Sequence, residues 1–319
     1  MFSMVEHKNK GSGWSRRGRV LSYAESNIHD IKNGEKVPLY CLTVEVTFPH
    51  SEDWVTLSSG LPYSYSRLIN QLNDFKATAS TQQVPFHFRT IASSLSQNLV
   101  PYLTVGEKQV EKSQGPSDRF KKKNTAKVIV IMARQHPAET HSSFLVEEII
   151  RQLVKNETPS TQWLLDNYEF RIFPMLNVDG VIYGNSRCDL LGCDINRNWR
   201  WPVKELLPQV TAIKEEIETL SREKKVEVCL DLHSHSTMFN MFAYCCQDHA
   251  LQARVLPFLL SQQCKAFSFP SCTYGLTFDK EGTARGVLSR IARKATVLTL
   301  ESSYYGSRAN GEKKPFGPE

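Results

Sequence analysis

The chain has 319 residues, of which 40% are hydrophobic and 23% are charged, and its formal net charge is +6. This length and balance predict a globular fold with one large domain, or a large domain and a small one. The first residues lack the apolar core of a signal peptide, and no stretch approaches the roughly 18 apolar residues that span a bilayer, so we expect a soluble, cytoplasmic protein without a membrane partner.

Basic residues and cysteines add little to this picture. The clusters at Arg16–Arg19 and Lys121–Lys123 are explained either by an acidic partner or by solvated surface loops. Neither shows aromatic interleaving or a recognition-helix pattern, so we expect no nucleic-acid partner. The eight cysteines lack CxxC spacing, and several lie in apolar runs, so we interpret them as reduced thiols. We expect a monomer.

The amino-terminal segment has the pattern of antiparallel strands. Apolar and polar residues alternate from Tyr40 to Phe48, which predicts a half-buried strand, and a second strand is expected at Trp54–Leu57. Residues 1–85 are therefore predicted to form a small, partial β-sandwich-like domain. The polar stretches Ala77–Gln83 and Gly106–Asn124 are predicted to be linkers or surface loops.

After Lys127 the sequence pattern changes to continuous apolar runs separated by segments with helical periodicity. This order is typical of an α/β fold in which a parallel or mixed sheet is covered on both faces. We expect strands at Lys127–Ala133, Glu169–Leu176, Glu227–Leu232, Met238–Tyr244 and Thr296–Glu301. We expect helices at Ser142–Lys155, Val203–Glu223, Leu251–Cys264 and Thr283–Arg293.

Three of these predicted strands end in titratable side chains. The first runs into His136 and Glu139, the third ends in His233 and His235, and the last ends in Glu301. In open α/β sheets, reactive groups gather just beyond the carboxyl ends of the strands. We therefore expect these side chains to meet at one edge of the sheet.

The same side chains match the needs of a zinc hydrolase. Such an enzyme uses three protein ligands, typically histidines and a carboxylate, and His136, Glu139 and His233 supply that set. The three-residue spacing of His136 and Glu139 brings both to one face of a helical turn or tight loop. The alternative is that Glu139 only opens the following helix, where a carboxylate meets the favourable end of the dipole.

A polar segment lies between these strand ends. The guanidinium groups of Arg187 and Arg197 are always charged and are suited to holding a carboxylate or a developing oxyanion. Either arginine alone fits an ordinary surface loop. Together with Asp194 and Asn196 they indicate a functional cluster.

Six motifs along the chain resemble, in their order, those of the zinc carboxypeptidases, and most of all the cytosolic carboxypeptidase branch. They are "HPxE" (136–139), "NVDG" (177–180), "GNSRC" (184–188), "DINRNW" (194–199), "DLHSHS" (231–236) and "TLESSYYG" (299–306). Upstream, "PYSYSRL" (62–68) resembles a region of that branch's amino-terminal β-domain. The resemblance covers nearly the whole chain.

This resemblance implies a fold and a cofactor. The catalytic domain, residues 86–319, would hold a mixed, eight-stranded-type sheet covered by helices, preceded by the small β-domain. It would bind one Zn²⁺ per chain. Family members continue into a terminal helix that this chain, ending 18 residues after Glu301, is expected to lack.

The resemblance also implies a role for each matched residue. His136, Glu139 and His233 would be the zinc ligands, Glu301 the general base, and Arg187 the group that stabilises the oxyanion. The expected supporting residues are Asn196 and Arg197 for the substrate's terminal carboxylate, and Asp194 for the outer nitrogen of His136.

Other matched positions leave alternatives open. Lys280, Thr283 and Arg285 either recognise an acidic side chain of the substrate or, through Thr283, simply cap a helix. His235 either lines the pocket or packs in a polar core. Ala138 stands where the branch usually has glycine, and if its φ is positive it costs on the order of 1 kcal/mol.

Members of this branch remove glutamates from side chains built on tubulin and other proteins, or from acidic carboxyl-terminal tails. The resemblance therefore implies a protein deglutamylase with polyglutamylated or acidic-tailed partners, tubulin among them, in the cytoplasm and at the cytoskeleton, cilium or basal body. Two alternatives remain: a small-molecule zinc amidohydrolase of the same superfamily, and an inactive module that binds tubulin tails.

Overall fold

Two units make up the chain, Met1–Pro62 with Gly317–Glu319, and Tyr63–Phe316. The computed structural model describes residues 4–7, 14–16, 18–32, 34–48, 51–52, 54–58, 60–106, 127–246, 251–309 and 312–316. The lysine cluster at 121–123 and nearly all of the loop predicted at 106–124 lie outside these residues.

The first unit is built of antiparallel strands, as the alternating pattern predicts. One sheet has three strands and the other two, in the orders β2-β1-β5 and β3-β4. The strands are β1 (Met4–His7), β2 (Trp14–Arg16), β3 (Arg19–Lys32), β4 (Glu35–Glu45) and β5 (Val55–Ser58). The strand predicted from Tyr40 to Phe48 thus begins and ends earlier than expected.

The second unit begins with helix α1 (Tyr65–Thr81). Its last residues fall in the stretch Ala77–Gln83 that was predicted to be a linker or surface loop. Ser64 caps the helix by accepting a hydrogen bond from the Arg67 amide at 3.1 Å. Leu68, Leu72, Phe75 and Ala79 form its buried stripe. The predicted domain boundary at residue 85 is therefore wrong, because α1 belongs to the second unit and the division falls after Pro62.

A seven-stranded mixed sheet lies at the centre of the second unit, one strand fewer in the described residues than expected. Its order is β11-β12-β10-β8-β9-β7-β6, and the four strands β12, β10, β8 and β9 are parallel. The strands are β6 (Phe86–Ser93), β7 (Leu99–Val105), β8 (Lys127–Ala133), β9 (Tyr168–Phe173), β10 (Lys225–His235), β11 (Met241–Cys245) and β12 (Thr296–Ser303). A short hairpin follows, β13 (Ser307–Ala309) and β14 (Glu312–Lys314).

Helices cover both faces of this sheet, which confirms the predicted α/β class. They are α2 (Thr140–Lys155), α3 (Pro159–Asn167), α4 (Val178–Ile182), α5 (Pro208–Glu223), α6 (Leu251–Gln263) and α7 (Ala284–Ile291). Residues of β8 alternate between two apolar clusters: Ile131 packs with α1 and α2, and Val130 packs with α5 and α7. No helix in the described part of the chain is long and apolar enough to cross a membrane.

Several predicted boundaries shift for local reasons. α5 begins at Pro208 rather than Val203, since proline fits the first helical position and lacks an amide to donate. β11 begins at Met241 rather than Met238, because Asn240 has a φ of 73° that interrupts an extended strand. The other elements predicted after Lys127 are present with ends shifted by a few residues.

Candidate metal centre and active site

The three predicted strand ends meet at one edge of the sheet. β8, β10 and β12 are neighbouring parallel strands, so their carboxyl ends lie side by side. His136 and Glu139 follow β8, His233 lies near the end of β10, and Glu301 lies in β12. His233 and Glu301 are direct partners in the β10–β12 register. This pairing places the proposed ligand and the proposed base on the same face of the sheet.

His136, Glu139 and His233 form a cluster that fits a metal ion. One ligand atom from each lies within 4.8 Å of the others, and all three residues are buried. His136 Nδ1 is 2.6 Å from Glu139 Oε1, and His233 Nδ1 is 2.9 Å from Glu139 Oε2. Two histidines and one glutamate are a known ligand set of catalytic zinc sites, which keep a fourth position for water or substrate.

The outer nitrogen of each histidine faces a carboxylate. His136 Nε2 lies 3.0 Å from Asp194 Oδ1, and His233 Nε2 lies 2.9 Å from Asp231 Oδ2. A histidine that donates its Nε2 proton to a carboxylate keeps the Nδ1 lone pair for a metal. This arrangement of both rings shows that the residues present fit Zn²⁺.

Asp194 was predicted to support His136, whereas no role was predicted for Asp231. Asp231 is buried and precedes His233 by two residues on β10, so the two side chains point to the same face of the sheet. That spacing was the available signal, because a carboxylate beside a ligand histidine is the usual source of its outer hydrogen bond.

The loop that carries His136 and Glu139 is braced by Arg134. This residue is buried, has a φ of 59°, and donates from Nε to the Pro137 carbonyl at 2.8 Å. Its Nη1 donates to Ser143 Oγ at 2.8 Å, which ties the loop to α2. Ala138 is not among the residues with positive φ, so alanine at this position carries no left-handed strain.

Glu139 is oriented by further donors. The Ser234 amide donates to Glu139 Oε2 at 2.9 Å, and Ser142 Oγ donates to the Glu139 carbonyl at 2.7 Å. Burial alone would raise the pKa of Glu139, but the charge of His233 and the hydrogen bonds from His136 and His233 outweigh it and lower the pKa to about 2. The carboxylate is therefore ionised at neutral pH, as a metal ligand must be.

Glu301 has the opposite character. Its Oε2 atom is buried and has no hydrogen-bond partner in the described residues. Burial raises the pKa of Glu301 to about 7, although the charge of His233 partly opposes the shift. An acid with such a pKa can accept and return a proton near neutral pH.

Asp194 joins the metal cluster to the two arginines of the polar segment. Its Oδ2 atom is 2.6 Å from Arg187 Nη2 and 3.8 Å from Arg197 Nη1. The Arg187 side chain is about half exposed, and Arg197 also donates to the Asn196 carbonyl at 2.9 Å. Both cations therefore lie beside the metal cluster with part of their surface open to solvent.

Asn196 is already engaged by the protein. Its Oδ1 accepts from the Ala284 amide at 2.9 Å, which anchors the first turn of α7, and its Nδ2 lies 3.3 Å from His233 Nε2. The structure thus brings Asn196 to the site, but its side-chain oxygen is already used to anchor α7. Its predicted contact with a substrate carboxylate stays a prediction.

The three residues named at 280–285 differ in their surroundings. Thr283 caps α7, since its Oγ1 accepts from the Gly286 amide at 3.1 Å and donates to the Lys280 carbonyl at 2.7 Å. Both hydroxyl functions are used locally, which favours the capping alternative for Thr283. Lys280 is partly exposed and pairs with Asp279 at 2.6 Å.

Arg285 lies deeper. Its side chain is buried, its guanidinium lies 5.1 Å from the centre of the Tyr244 ring, and its Nε and Nη1 atoms have no hydrogen-bond partner in the described residues. A buried guanidinium with unused donors is costly unless a further group meets it. Arg285 is therefore poised to receive an acceptor.

His235 lies beside the site rather than in the metal cluster. Its Nδ1 accepts from the Met238 amide at 3.3 Å, and its Nε2 is 3.4 Å from the Asn240 carbonyl. Its ring packs 4.7 Å from that of Phe242, and burial lowers the pKa of the imidazole. These contacts favour the polar-core alternative, with a neutral ring that orders residues 236–240.

Comparisons with known proteins agree with this site. Residues 69–252, more than half of the chain, match the family model described as zinc carboxypeptidase. Cytosolic carboxypeptidase 2 of Mus musculus is 33% identical over 98% of this chain and 35% of its own length. Cytosolic carboxypeptidase 3 of Mus musculus is 31% identical over 98% of this chain and 30% of its own length. The chain spans about a third of the length of these curated relatives.

Solved structures show the same fold. A metallo-carboxypeptidase from Burkholderia cenocepacia superposes with a TM-score of 0.72 at 19% identity, covering 98% of this chain and 73% of that one. The motifs at 233–244 and 299–305 also resemble cytosolic carboxypeptidase 6, a likeness that stays a prediction. The matching family model, with the His136, Glu139 and His233 cluster at the end of its sheet, shows that the chain belongs to the zinc carboxypeptidase family.

Proposed function

We propose that the chain is a zinc metallocarboxypeptidase that removes glutamate from protein carboxyl termini or from glutamate side chains. The observation that carries the proposal is Glu301, a carboxyl group with a raised pKa placed opposite a ligand of the His136, Glu139 and His233 set. A general base beside a metal cluster is the minimum equipment for hydrolysis of an amide bond.

His136, Glu139 and His233 would hold Zn²⁺, which would act as a Lewis acid that lowers the pKa of water and polarises a carbonyl. Glu301 takes the proton from the attacking water and returns it to the leaving amine. Arg187, partly exposed and held at Asp194, is placed to meet negative charge that develops on the carbonyl oxygen. His136, Glu139 and His233 are held in place throughout by Asp194, Ser234 and Asp231.

Release of a terminal residue requires recognition of a free carboxylate. Arg187 and Arg197 both approach Asp194 Oδ2, and both are more than a third exposed. Guanidinium groups bind carboxylates through paired hydrogen bonds, so Arg197 is placed to bind the free carboxylate of a chain end beside Arg187, which meets the oxyanion.

Selection of glutamate rests on Arg285. Two nitrogen atoms of its buried guanidinium have no hydrogen-bond partner among the described residues, and the charge of Glu301 helps to raise the pKa of Tyr244, over which the guanidinium lies. A glutamate side chain entering here would satisfy those donors and neutralise the buried charge. A glutamine side chain of the same size would offer one acceptor oxygen and would leave the buried charge of Arg285 without a counter-charge.

We further propose that the natural partners are polyglutamylated or acidic-tailed proteins, with tubulin the leading candidate, and that the protein acts as a monomer in the cytoplasm, including the cytoskeleton, cilium or basal body. The support is the acidic substrate that Arg285 favours and the similarity to proteins named cytosolic carboxypeptidases.

The test uses the full chain, loaded with one Zn²⁺, and two synthetic peptides that end in oligoglutamate or oligoglutamine. We expect release of free glutamate, and much slower release of glutamine. Glu301→Gln should keep zinc and lose turnover by several orders of magnitude, whereas His136→Ala should lose zinc. Normal turnover by Glu301→Gln would remove Glu301 from the mechanism.

Two arginine variants test the substrate preference. Arg285→Gln should lower kcat/KM for the oligoglutamate peptide by at least tenfold and leave that for oligoglutamine nearly unchanged, and Arg285→Lys should recover part of the loss. Zinc binding without release of any residue would instead favour a module that binds acidic tails without cutting them.

A further inference from the structure

Gln135 occupies a position in the metal centre that no predicted role explains. It lies between Arg134, which braces the loop, and the ligand His136, and its exposed fraction is 0%. A fully buried amide needs partners for its oxygen and both of its hydrogens. Its partners therefore show what it does.

Each partner of Gln135 fixes one end of the amide. The indole Nε1 of Trp199, which can only donate, lies 2.9 Å from Gln135 Oε1. Both carboxylate oxygens of Asp231, which can only accept, lie 2.8 Å from Gln135 Nε2. A flipped amide would place two donors together and two acceptors together, so only one orientation satisfies the group.

The contact with Asp231 continues to the second metal-ligand histidine. Asp231 Oδ2 is 2.9 Å from His233 Nε2, and Asp231 is 1% exposed. The amide of Gln135 thus sets the plane of the carboxylate that receives the His233 proton. The backbone of Gln135 is held as well, because Asn177 Nδ2 donates to its carbonyl at 3.2 Å.

His136 has a corresponding support. Its carboxylate partner Asp194 accepts a hydrogen bond from the backbone amide of Asn196 at 2.9 Å and pairs with Arg187 at 2.6 Å. Asp231 has no such cation among its contacts in the described part of the chain, and the donor that holds it beside His233 is Gln135. The two histidines are thus supported alike, one through a cation and one through an amide.

We propose that Gln135 is a positioning residue of the metal centre: it aligns Asp231 so that His233 presents Nδ1 toward Zn²⁺, and it links the loop after β8 to β10 and to Trp199. Removing the amide frees Asp231 to rotate, and the His233 ring loses its fixed tautomer and direction. Loss of such an outer hydrogen bond typically weakens metal binding about 10–100-fold.

The test measures zinc affinity, not turnover. Gln135→Met keeps the length of the side chain and removes both polar contacts, and we expect its dissociation constant for Zn²⁺, measured by chelator competition on the full chain, to rise about 10–100-fold. The visible spectrum of the Co²⁺-loaded variant should also change, because it reports the geometry of the ligands. The matched control is Gln209→Met, a buried glutamine on α5, whose zinc affinity should equal that of the wild type.

A double-mutant cycle shows whether Gln135 acts through Asp231. In an Asp231→Ala background, which has no carboxylate for Gln135 to hold, Gln135→Met should weaken zinc binding by less than about twofold. An equal loss in both backgrounds would overturn the proposal. Should Gln135→Met not fold, Asp231→Ala alone keeps the proposal falsifiable, because wild-type zinc affinity in that variant also contradicts it. Neither measurement depends on the substrate.

Discussion

Glu139 and Glu301 are the same amino acid beside the same histidine, yet their surroundings separate their pKa values. The rings of His136 and His233 lie 2.6 and 2.9 Å from the carboxylate of Glu139, the Ser234 amide donates to it, and its pKa falls to about 2. Glu301 has a buried oxygen without a hydrogen-bond partner among the described residues, and its pKa rises to about 7. The polar and charged groups around each carboxylate, more than its burial, therefore set the two pKa values and decide which glutamate binds metal and which moves a proton.

The raised pKa of Glu301 predicts that kcat/KM falls as the pH is lowered below about 7. Burial disfavours the charged form, so the active carboxylate is present above about pH 7 and is lost below it. We expect kcat/KM for glutamate release to fall about tenfold per pH unit between pH 6.5 and 5. Zinc content measured on the same samples is the control. A flat profile down to pH 5 would contradict the assignment of a raised pKa to the base.

At the scale of elements, the turn before α7 is fitted closely against the segment that carries Asn196 and Arg197. A Cβ on Gly282 would lie 2.4 Å from the Arg197 carbonyl oxygen, and the Trp199 amide donates to the Gly282 carbonyl at 3.0 Å. The turn before α7 and residues 196–199 are therefore in direct contact, which links the helix that carries Arg285 to the segment that carries Arg197.

Gly282→Ala tests this fit. The added methyl group should push the two segments apart, and we expect a loss of about 1–3 kcal/mol in the free energy of unfolding in urea. Gly60→Ala is the matched control, because a Cβ there meets no atom of the described residues within 4 Å. Equal stability of the two variants would show that the segments separate without cost.

The same scale shows what the sequence could predict and what it could not. Strands β8, β10 and β12 were found because parallel strands buried on both faces give continuous apolar runs, and the titratable residues at their ends followed. Helix α1 was mistaken at Ala77–Gln83 because its exposed face is polar, although its buried stripe at 68, 72, 75 and 79 was present. Neither β6 nor β7, which contains Pro101, was predicted from the sequence.

Contacts made by side chains from distant segments were the least predictable. Gln135 is hydrogen-bonded to Asp231 and Trp199, which lie 96 and 64 residues further along the chain. The local sequence at 133–136 gives no indication of these hydrogen bonds. Asp194 was assigned to a functional cluster from its neighbours in the sequence, but its contact with His136 was predicted only through the resemblance to a known family. The spacing of Asp231 and His233 on β10 was a physical signal that the sequence did contain.

For the whole molecule, the metal cluster joins the loop after β8 to the end of β10. Zinc binding therefore adds to the stability of the unit Tyr63–Phe316 by mass action, about 2.7 kcal/mol at a free zinc concentration of 100 times Kd. Since 1 kcal/mol shifts Tm by about 2–4 °C for a unit of this size, chelation should lower Tm by about 5–10 °C.

Calorimetry of the full chain with and without chelator checks this shift. Addition of Zn²⁺ to the chelated protein should restore the original Tm, and His136→Ala should unfold at the same temperature under both conditions. An unchanged Tm in the wild type would show that the metal is not bound to the folded unit.

The distance along the chain between the ligands also has a kinetic consequence. Glu139 and His233 are 94 residues apart, and the β10 strand that carries His233 must pair with both β8 and β12 before its ring faces the glutamate. Closing such long loops is slow compared with the formation of helices. We therefore expect tight zinc binding to arise late in folding, after the strands of the sheet have paired, so that the metal does not nucleate the sheet.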